Sequence, residues 1–340
     1  MNKFKFYFIL FFISVSLFSC KHDDSTSTAP PRDRAVQYTA DIDSIEEYLK
    51  SHSLTKVEVD GLTDVVITDL VSGGVSIWDN TEYPLQFKMV KNDVRVSNLT
   101  DGPSEDVVDY KLYYVVLNEG GGARPTTTDS TFVSYRGWKL DNDEFDKNNT
   151  PFWATFPAVT TSEISLISGF RQFTPVLKAA SSVVPNSDGT FNFINAGVGV
   201  VFIPSGLGYY NVSRTGIPAY SPLVFTIRLN GVRERDHDLD GVLTKYEELN
   251  ANGNPYDDDT DGDLIPDFLD TDDDGDDFLT KFEITKTGAD IGQGPSKTYP
   301  YDAFEDPNVP ANSEPKGIPS CNGDFTSATR LRKHLDPSCH

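Results

Sequence analysis

The stretch that decides the fold is residues 203–229, which read IPSGLGYYNVSRTGIPAYSPLVFTIRL. It contains the end of a predicted strand, a turn that carries Tyr209, an Ile217–Pro218 step and a final apolar strand. Three shorter pieces precede it along the chain, and they read VSYRG at 133–137, EFD at 144–146 and ISGF at 167–170. None of the pieces is specific alone, so the information lies in their order.

In that order the pieces resemble the FK506-binding proteins, a family of peptidyl-prolyl cis-trans isomerases, over residues 110–232. The resemblance implies an α+β fold in which an antiparallel sheet wraps a short helix. It also implies a reaction, rotation about the X-Pro peptide bond, whose uncatalysed barrier is about 18–20 kcal/mol. Such an enzyme needs no nucleophile and no cofactor, because an apolar pocket and hydrogen bonds that favour the twisted amide suffice.

The resemblance also assigns pocket residues by position. Tyr209 matches the loop tyrosine that donates a hydrogen bond to the substrate carbonyl, and Phe170 matches the pocket floor, where the family usually has Trp. Phe152 or Trp153 supplies a further wall aromatic. Any one of these aromatic residues alone is more typical of a hydrophobic core than of a site. The remaining matches are Tyr135, Phe145, Asp146, Leu166, Ile167, Ile217 and Phe225.

Three departures from the family pattern keep a second interpretation open. Tyr210 stands where the family prefers Gly, and Ala219 replaces the second Pro of a Pro-Pro step. Residues 177–197, which contain SDGT, replace a short turn and predict an inserted hairpin. The alternative to an enzyme is therefore a module of the same fold that binds clients without turnover.

A run of acidic residues follows this region directly. The chain has a formal net charge of −23, and fifteen Asp residues lie between positions 236 and 277. So large a negative charge argues against a nucleic-acid partner, because a polyanion would be repelled. Residues 236–247 (DHDLDGVLTKYE) and 272–283 (DDDGDDFLTKFE) fit the twelve-residue calcium loop, and 259–270 (DTDGDLIPDFLD) resembles the calcium repeats of thrombospondin type 3.

We therefore expect residues 233–290 to bind calcium in a structural role. Asp277 stands at the Gly position of its loop, which is tolerable because Asp visits the left-handed region more readily than most residues. A disordered acidic linker and a dockerin-like module that docks a partner are the alternatives. The predicted ligands are Asp236, Asp238, Asp240, Val242 through its carbonyl, Thr244 and Glu247, then Asp259, Asp261, Asp263, Asp267 and Asp270, and finally Asp272, Asp274, Asp276, Thr280 and Glu283.

The first residues of the chain are typical of an export signal. Residues 1–19 carry two lysines and then an apolar run that is too short to span a bilayer comfortably. The run ends at Cys20, preceded by a small residue, which resembles the lipobox of bacterial lipoproteins. Acylation of Cys20 would anchor the protein to a membrane, and we expect the outer membrane of a Gram-negative-type envelope, on the periplasmic side or the cell surface. An ordinary cleaved signal is the alternative, and residues 20–36 read as an extended tether.

The two remaining regions carry no chemical motif. Residues 37–109 predict a helix at 41–52 and then short strands, which leaves open a small α+β domain, a dimerisation arm or an extension packed on the region that follows. Residues 291–340 read as a loop-rich tail. An exported protein favours a disulfide between its last two cysteines, Cys321 and Cys339, although a metal site with His334 and His340 is the alternative.

Taken together, the residues predict an exported, lipid-anchored prolyl isomerase that acts on proline-containing polypeptide clients and is stabilised by calcium. A binding module comes second, and a calcium-dependent surface structural lipoprotein comes third. The client, the oligomeric state and the face of the membrane stay open.

Overall fold

The computed structural model describes residues 30–59, 61–92, 106–303 and 316–339. One structural unit spans Asp33–His340. The predicted signal peptide and Cys20 lie outside the described residues. In the part of the chain that is described, each helix is too short or too polar to cross a bilayer.

A six-stranded sheet in which every neighbouring pair is antiparallel organises this unit, in the order β3-β4-β9-β10-β5-β6. The α+β prediction is therefore confirmed at this level, as a mainly antiparallel sheet with few helices. The strands of the sheet are β3 (Leu85–Lys91), β4 (Asp109–Asn118), β5 (Ser130–Lys139), β6 (Glu144–Ala154), β9 (Gly197–Ile203) and β10 (Leu223–Arg233).

Strand β9 (GVGVVFI) explains why both faces of the sheet are covered. All seven of its residues are buried, which is typical of a strand with packed layers on both sides. Successive side chains alternate between the faces, so that Val201 and Ile203 join one core and Val200 and Phe202 join the other.

The first face packs against the short helix α2 (Ser168–Phe173). Phe170 and Phe173 are almost completely buried there, and burial of each ring stabilises the fold by about 1.5–3 kcal/mol. Gly169 permits the close approach, because a Cβ at this position would lie 2.4 Å from Ile203.

The second face is covered by the N-terminal segment, so the third of its three open alternatives is correct. Helix α1 (Arg34–Ser51) buries Ile45, Tyr48 and Leu49 in the core on this face. The hairpin of β1 (His52–Val59) and β2 (Leu62–Asp69) follows, and β3 then joins the main sheet by pairing with β4.

Two predicted boundaries and one predicted strand in this segment are wrong. Helix α1 begins at Arg34, inside the predicted tether, because the Asp33 side chain accepts a hydrogen bond from Val36 N at 3.0 Å and caps it. The boundary after residue 109 fails because β3 pairs with β4 across it. Residues 75–80 (VSIWDN), one of the short runs predicted to be strands, form a turn, in which the Ile77 side chain is fully buried and Ile77 N donates to His52 O at 2.8 Å.

The predicted inserted hairpin is present as β7 (Ser182–Pro185) and β8 (Phe191–Ile194), which pair in antiparallel register and form a separate two-stranded sheet. Most of its side chains are exposed.

Beyond β10 the chain forms three acidic loops, the short helix α3 (Thr280–Glu283) and an irregular tail. A small core of Val242, Ile284, Tyr299 and Ile318 holds the loops to the tail. Cys321 and Cys339 form a disulfide with their Cα atoms 5.4 Å apart, and the alternative partner His340 lies outside the described residues.

Candidate functional site

A pocket of about 520 Å³ opens on the first face, where the sheet meets helix α2. Strands β5, β6 and β10 and helix α2 contribute its walls, and the loop after β9 contributes its rim. Eight of the nine predicted pocket residues line it, namely Tyr135, Phe145, Asp146, Leu166, Ile167, Phe170, Tyr209 and Phe225. The ninth, Ile217, is buried in the core on the same face and is not among the lining residues.

Four aromatic rings pack edge-to-face around the pocket. Tyr135, Phe170 and Phe225 lie with their ring centroids 5.8–5.9 Å apart, and Phe145 lies 5.5 Å from Phe225. Such contacts contribute about 0.5–1.5 kcal/mol each beyond the area they bury. Gly137 allows this packing, because a Cβ there would lie 2.7 Å from the rings of Phe145 and Phe225. The walls are thus apolar and held in fixed orientations.

Two polar groups interrupt these walls. The Tyr135 hydroxyl donates a hydrogen bond of 2.6 Å to Asp146 Oδ2, which orients the carboxylate. Burial raises the pKa of Tyr209, and the charge of Asp146 raises it further, although the guanidinium of Arg214 acts in the opposite direction. The Tyr209 phenol is therefore protonated at neutral pH and can donate a hydrogen bond to a ligand in the pocket.

The open choice between two aromatic residues on β6 is decided by packing. Phe152 lies 6.0 Å from the Tyr135 ring and packs against the core on the pocket side. Trp153 instead packs against Phe132 at 5.0 Å and under the guanidinium of Arg233. Phe152 therefore supports the pocket wall from behind.

Sequence reasoning missed the contribution of helix α1 to the pocket. Arg34 lines it, with its guanidinium 4.3 Å from the Tyr210 ring and 2.9 Å from Asp106 Oδ2. Tyr210 adopts a left-handed φ of 50°, a conformation that Gly adopts more readily than other residues. No local signal in the sequence links Arg34 to Tyr210. The other lining residues that were missed include Asn92, Ser165, Asn211 and Val212.

A buried carboxylate on helix α1 holds the start of the loop that carries Tyr209. Asp41 is 2% exposed, and its Oδ2 accepts hydrogen bonds from Ser205 N at 2.7 Å and Ser205 Oγ at 2.6 Å. The Ser205 carbonyl in turn accepts from Gly208 N and Tyr210 N, both at 2.9 Å. Hydrogen bonds to a charged acceptor are the stronger kind, so helix α1 fixes one end of the rim.

The three acidic loops share one backbone conformation. Positions 4 and 6 of each loop have a positive φ, and these are Leu239 and Gly241, Gly262 and Leu264, and Gly275 and Asp277. The first Asp of each loop accepts a hydrogen bond from the backbone N of position 6, at 3.1–3.2 Å. The left-handed conformation expected of Asp277 is confirmed, with φ at 72°.

Three groups of carboxylates in this region could hold a cation, since each offers oxygens that all lie within 4.8 Å of one another. Two of them, Asp259 with Asp261 and Asp263, and Asp272 with Asp274 and Asp276, consist only of predicted ligands. The third joins Asp238, Asp240 and Glu247 to Asp273, which was not predicted.

The other predicted ligands lie outside these groups and have other contacts. Asp236 accepts hydrogen bonds from Leu239 N and Gly241 N, and Asp270 accepts one from Asp272 N.

In each loop, the residues at positions 2 and 9 contact each other. These pairs are His237 with Thr244 at 2.8 Å, Thr260 with Asp267 at 2.7 and 2.8 Å, and Asp273 N with Thr280 at 3.2 Å.

Two further predicted ligands, Glu283 and Val242, are buried. Glu283 is buried, neither of its oxygens has a hydrogen-bond partner among the residues that the structure describes, and burial followed by the charge of Asp274 raises its pKa to about 8. The side chain of Val242 packs with Ile284 in the small core at the tail.

One ion pair connects the acidic region to the pocket. Arg235 Nη2 lies 2.7 Å from Glu163 Oε1, and Glu163 Oε2 accepts hydrogen bonds from Val159 N and Thr160 N. Burial acts to raise the pKa of Glu163, but these N–H groups and the Arg235 charge lower it overall, so the pair stays ionised. Glu163 precedes the lining residues Ser165, Leu166 and Ile167 by only a few positions, so Arg235 restrains that wall of the pocket.

Comparisons with known proteins match separate parts of the chain. A family model described as "BamM C-terminal" matches residues 237–312, less than half of the chain. Comparison with curated proteins gave no match. Among solved structures, the chain is similar to a peptidyl-prolyl cis-trans isomerase from Pseudomonas syringae, with 22% identity and a TM-score of 0.28, over 36% of this chain and 76% of that one.

Two more solved structures are similar at the same level. FkpA from Escherichia coli has 23% identity and a TM-score of 0.28, over 41% of this chain and 54% of FkpA. The N-terminal domain of FKBP42 from Arabidopsis thaliana has 16% identity and a TM-score of 0.28, over 40% of this chain and 99% of that one. At TM-scores of this size the similarities carry no argument, so the resemblance to FK506-binding proteins rests on this chain's own strands and pocket residues.

Proposed function

We propose that this chain is a peptidyl-prolyl cis-trans isomerase of the FK506-binding type, acting on proline-containing segments of other polypeptides. One observation supports the proposal above all others. Tyr135, Phe145, Phe170 and Phe225 surround an apolar space that also contains a protonated phenol, Tyr209.

The proposed mechanism follows from the polarity of this space. A planar prolyl amide is stabilised by resonance that places negative charge on its carbonyl oxygen, and water supports that charge. The aromatic walls would exclude water around the prolyl ring and so weaken the resonance. A hydrogen bond from the Tyr209 hydroxyl would hold the substrate carbonyl while the bond rotates. No bond is made or broken, so no cofactor is required for this step.

The departures from the family pattern do not remove any group that this mechanism uses. Tyr210 keeps the left-handed turn, and Arg34 stacks on its ring. The inserted hairpin of β7 and β8 contributes no residue to the pocket lining. The smaller floor residue, Phe170, contacts both Tyr135 and Phe225.

We propose further that the three acidic loops bind calcium as a structural ion. Buried carboxylate oxygens that find no hydrogen-bond partner in the described ranges support this, because burying an unpaired charge is costly. We also propose export and attachment to a Gram-negative-type outer membrane through a lipid on Cys20, which is supported by the apolar run and the residues before Cys20.

The enzyme proposal is tested by the cis/trans rate of an Xaa-Pro peptide, measured with residues 21–340 in calcium. We expect acceleration, and Tyr209→Phe should lower kcat/KM about tenfold, the equivalent of one hydrogen bond of about 1.4 kcal/mol. Tyr83→Phe, outside the pocket lining, is the matched control and should leave the rate unchanged. If a folded protein binds the peptide without accelerating the rotation, the pocket belongs to a binding module instead.

A further inference from the structure

Asp273 is the most unusual buried group outside the pocket. It is 1% exposed, and neither of its carboxylate oxygens has a hydrogen-bond partner among the described residues. It occupies position 2 of the loop at 272–283, between two predicted ligands, and so belongs to none of the alternating Asp positions. An unpaired carboxylate in such a place is strongly unfavourable unless a cation accompanies it.

Asp273 belongs to a different carboxylate group from Asp272, Asp274 and Asp276 of its own loop. One of its oxygens lies within 4.8 Å of oxygens from Asp238, Asp240 and Glu247, all of which belong to the loop at 236–247. Glu247 is 2% exposed, and within the described part of the chain its two oxygens also lack hydrogen-bond partners. Four carboxylates thus converge on one buried point, with contributions from two loops that are separate in sequence.

We propose that Asp273 is the closing ligand of a calcium site whose other carboxylates are Asp238, Asp240 and Glu247, so that one ion fastens the first loop to the third. This rests on the calcium role proposed above and adds a ligand and a linkage to it. The donors are all oxygens, which suit a hard cation. Calcium accepts six to eight of them in flexible geometry, whereas magnesium prefers to keep several waters.

The repeated loop structure explains how Asp273 reaches the neighbouring loop. Position 2 of each loop is held by position 9, and the corresponding residue in the first loop, His237, is also buried. Position 2 of the second loop, Thr260, is exposed, so this position is buried only in the first and third loops. In the third loop it carries a carboxylate, and the hydrogen bond from Asp273 N to Thr280 Oγ1 leaves the side chain directed toward the first loop.

Two consequences follow from a ligand shared in this way. The third loop would serve two ions, one through Asp272, Asp274 and Asp276 and one through Asp273. Loss of the ion at the shared site would release the first and third loops from each other. It would also leave four carboxylates close together, three of them buried, to repel one another.

The test compares Asp273→Asn with Asp277→Asn in residues 21–340. Asp277 is an exposed neighbour in the same loop, belongs to none of the three carboxylate groups, and has a conformation that Asn tolerates. Bound calcium is counted by native mass spectrometry and its affinity is measured by calorimetry. We expect Asp273→Asn to lose one ion, or to bind it at least about tenfold more weakly, while Asp277→Asn matches the unchanged protein.

Thermal melting gives a second readout, in which the change in melting temperature caused by Asp273→Asn should have opposite signs with and without calcium. In EDTA, Asp273→Asn should melt above the unchanged protein, because one of four repelling charges is gone; in calcium it should melt below. If the unchanged protein binds no calcium, the calcium role fails as a whole. If it binds calcium and Asp273→Asn behaves like Asp277→Asn in both readouts, the shared site is wrong and the calcium role stands. Neither result depends on isomerase activity.

Discussion

Removing the Asp41 carboxylate should destabilise the fold and loosen the pocket rim together. Asp41 lies on helix α1, which covers the face of the sheet opposite the pocket core, yet it binds Ser205 at the start of the loop that carries Tyr209. The contact therefore connects the N-terminal segment to the proposed site.

The Asp41 carboxylate accepts three hydrogen bonds, one from Gln37 Nε2 at 2.7 Å within the helix and two from Ser205 at 2.6 and 2.7 Å, and the magnitude is worked from the two to Ser205. Each bond of this kind contributes about 1.5–3 kcal/mol, so Asp41→Ala should lower the free energy of unfolding by about 3–6 kcal/mol. Ser205 is fully buried, so its N–H and hydroxyl would lose an acceptor that water cannot replace. Asp41→Asn keeps one acceptor oxygen and should lose less.

Stability is measured by urea unfolding in calcium, with tryptophan fluorescence as the signal. Peptide binding is measured by titrating a proline peptide under conditions where each variant is folded. Asp43→Ala is the matched control, since Asp43 lies on the same helix with an exposed side chain. We expect weaker peptide binding for Asp41→Ala only. A loss of stability below about 1 kcal/mol, or one no larger than that of Asp43→Ala, would refute the reasoning.

Three further changes test other parts of the structure. Gly137→Ala should abolish peptide binding and lower the free energy of unfolding by about 1–3 kcal/mol, because the new Cβ would lie 2.7 Å from two pocket rings. Binding is measured by NMR titration, and binding at the normal affinity would contradict the described packing. Arg235→Ala should weaken peptide binding by up to about tenfold while the fold is retained, because Glu163 loses its ion-pair partner. Unchanged hydrogen exchange in residues 157–167 would count against this. Burial, followed by the charges of Arg332 and Lys333, lowers the pKa of His334 to about 3 from an ordinary value of 6.5. The stability that neutral His334 contributes is therefore complete above pH 6.5, and it is lost as the pH falls toward 3. Limited proteolysis of the tail should therefore speed up between pH 7 and pH 4, and His334→Phe should reduce this dependence.

Local geometry accounts for what could be predicted from the sequence. The strands of the main sheet and the inserted hairpin follow from apolar runs and turn residues, and the left-handed positions Gly241 and Asp277 follow from loop spacing. Each of these depends on residues within one turn or one strand, where steric and hydrogen-bonding preferences act over short distances. The eight lining residues were found because they occur in a recognisable order along the chain.

One signal of the covered second face was present and was not used. The run GVGVVFI in β9 contains no polar residue, and a strand of that kind needs a packed layer on each side. It could have predicted a second layer over the sheet. It could not have named helix α1 as that layer, because many apolar helical faces would fit.

The sequence by itself determined where the main-sheet strands and the acidic loops lie along the chain, because these depend on local patterns, and the family resemblance identified eight of the seventeen residues that line the pocket. Only the tertiary structure decided that Arg34 lines the pocket, that Asp41 holds Ser205, and that Asp273 faces a different loop from its own. Each of these pairs joins residues far apart in the chain. Their meeting depends on how the layers pack, and no periodicity or spacing in the sequence encodes that distance.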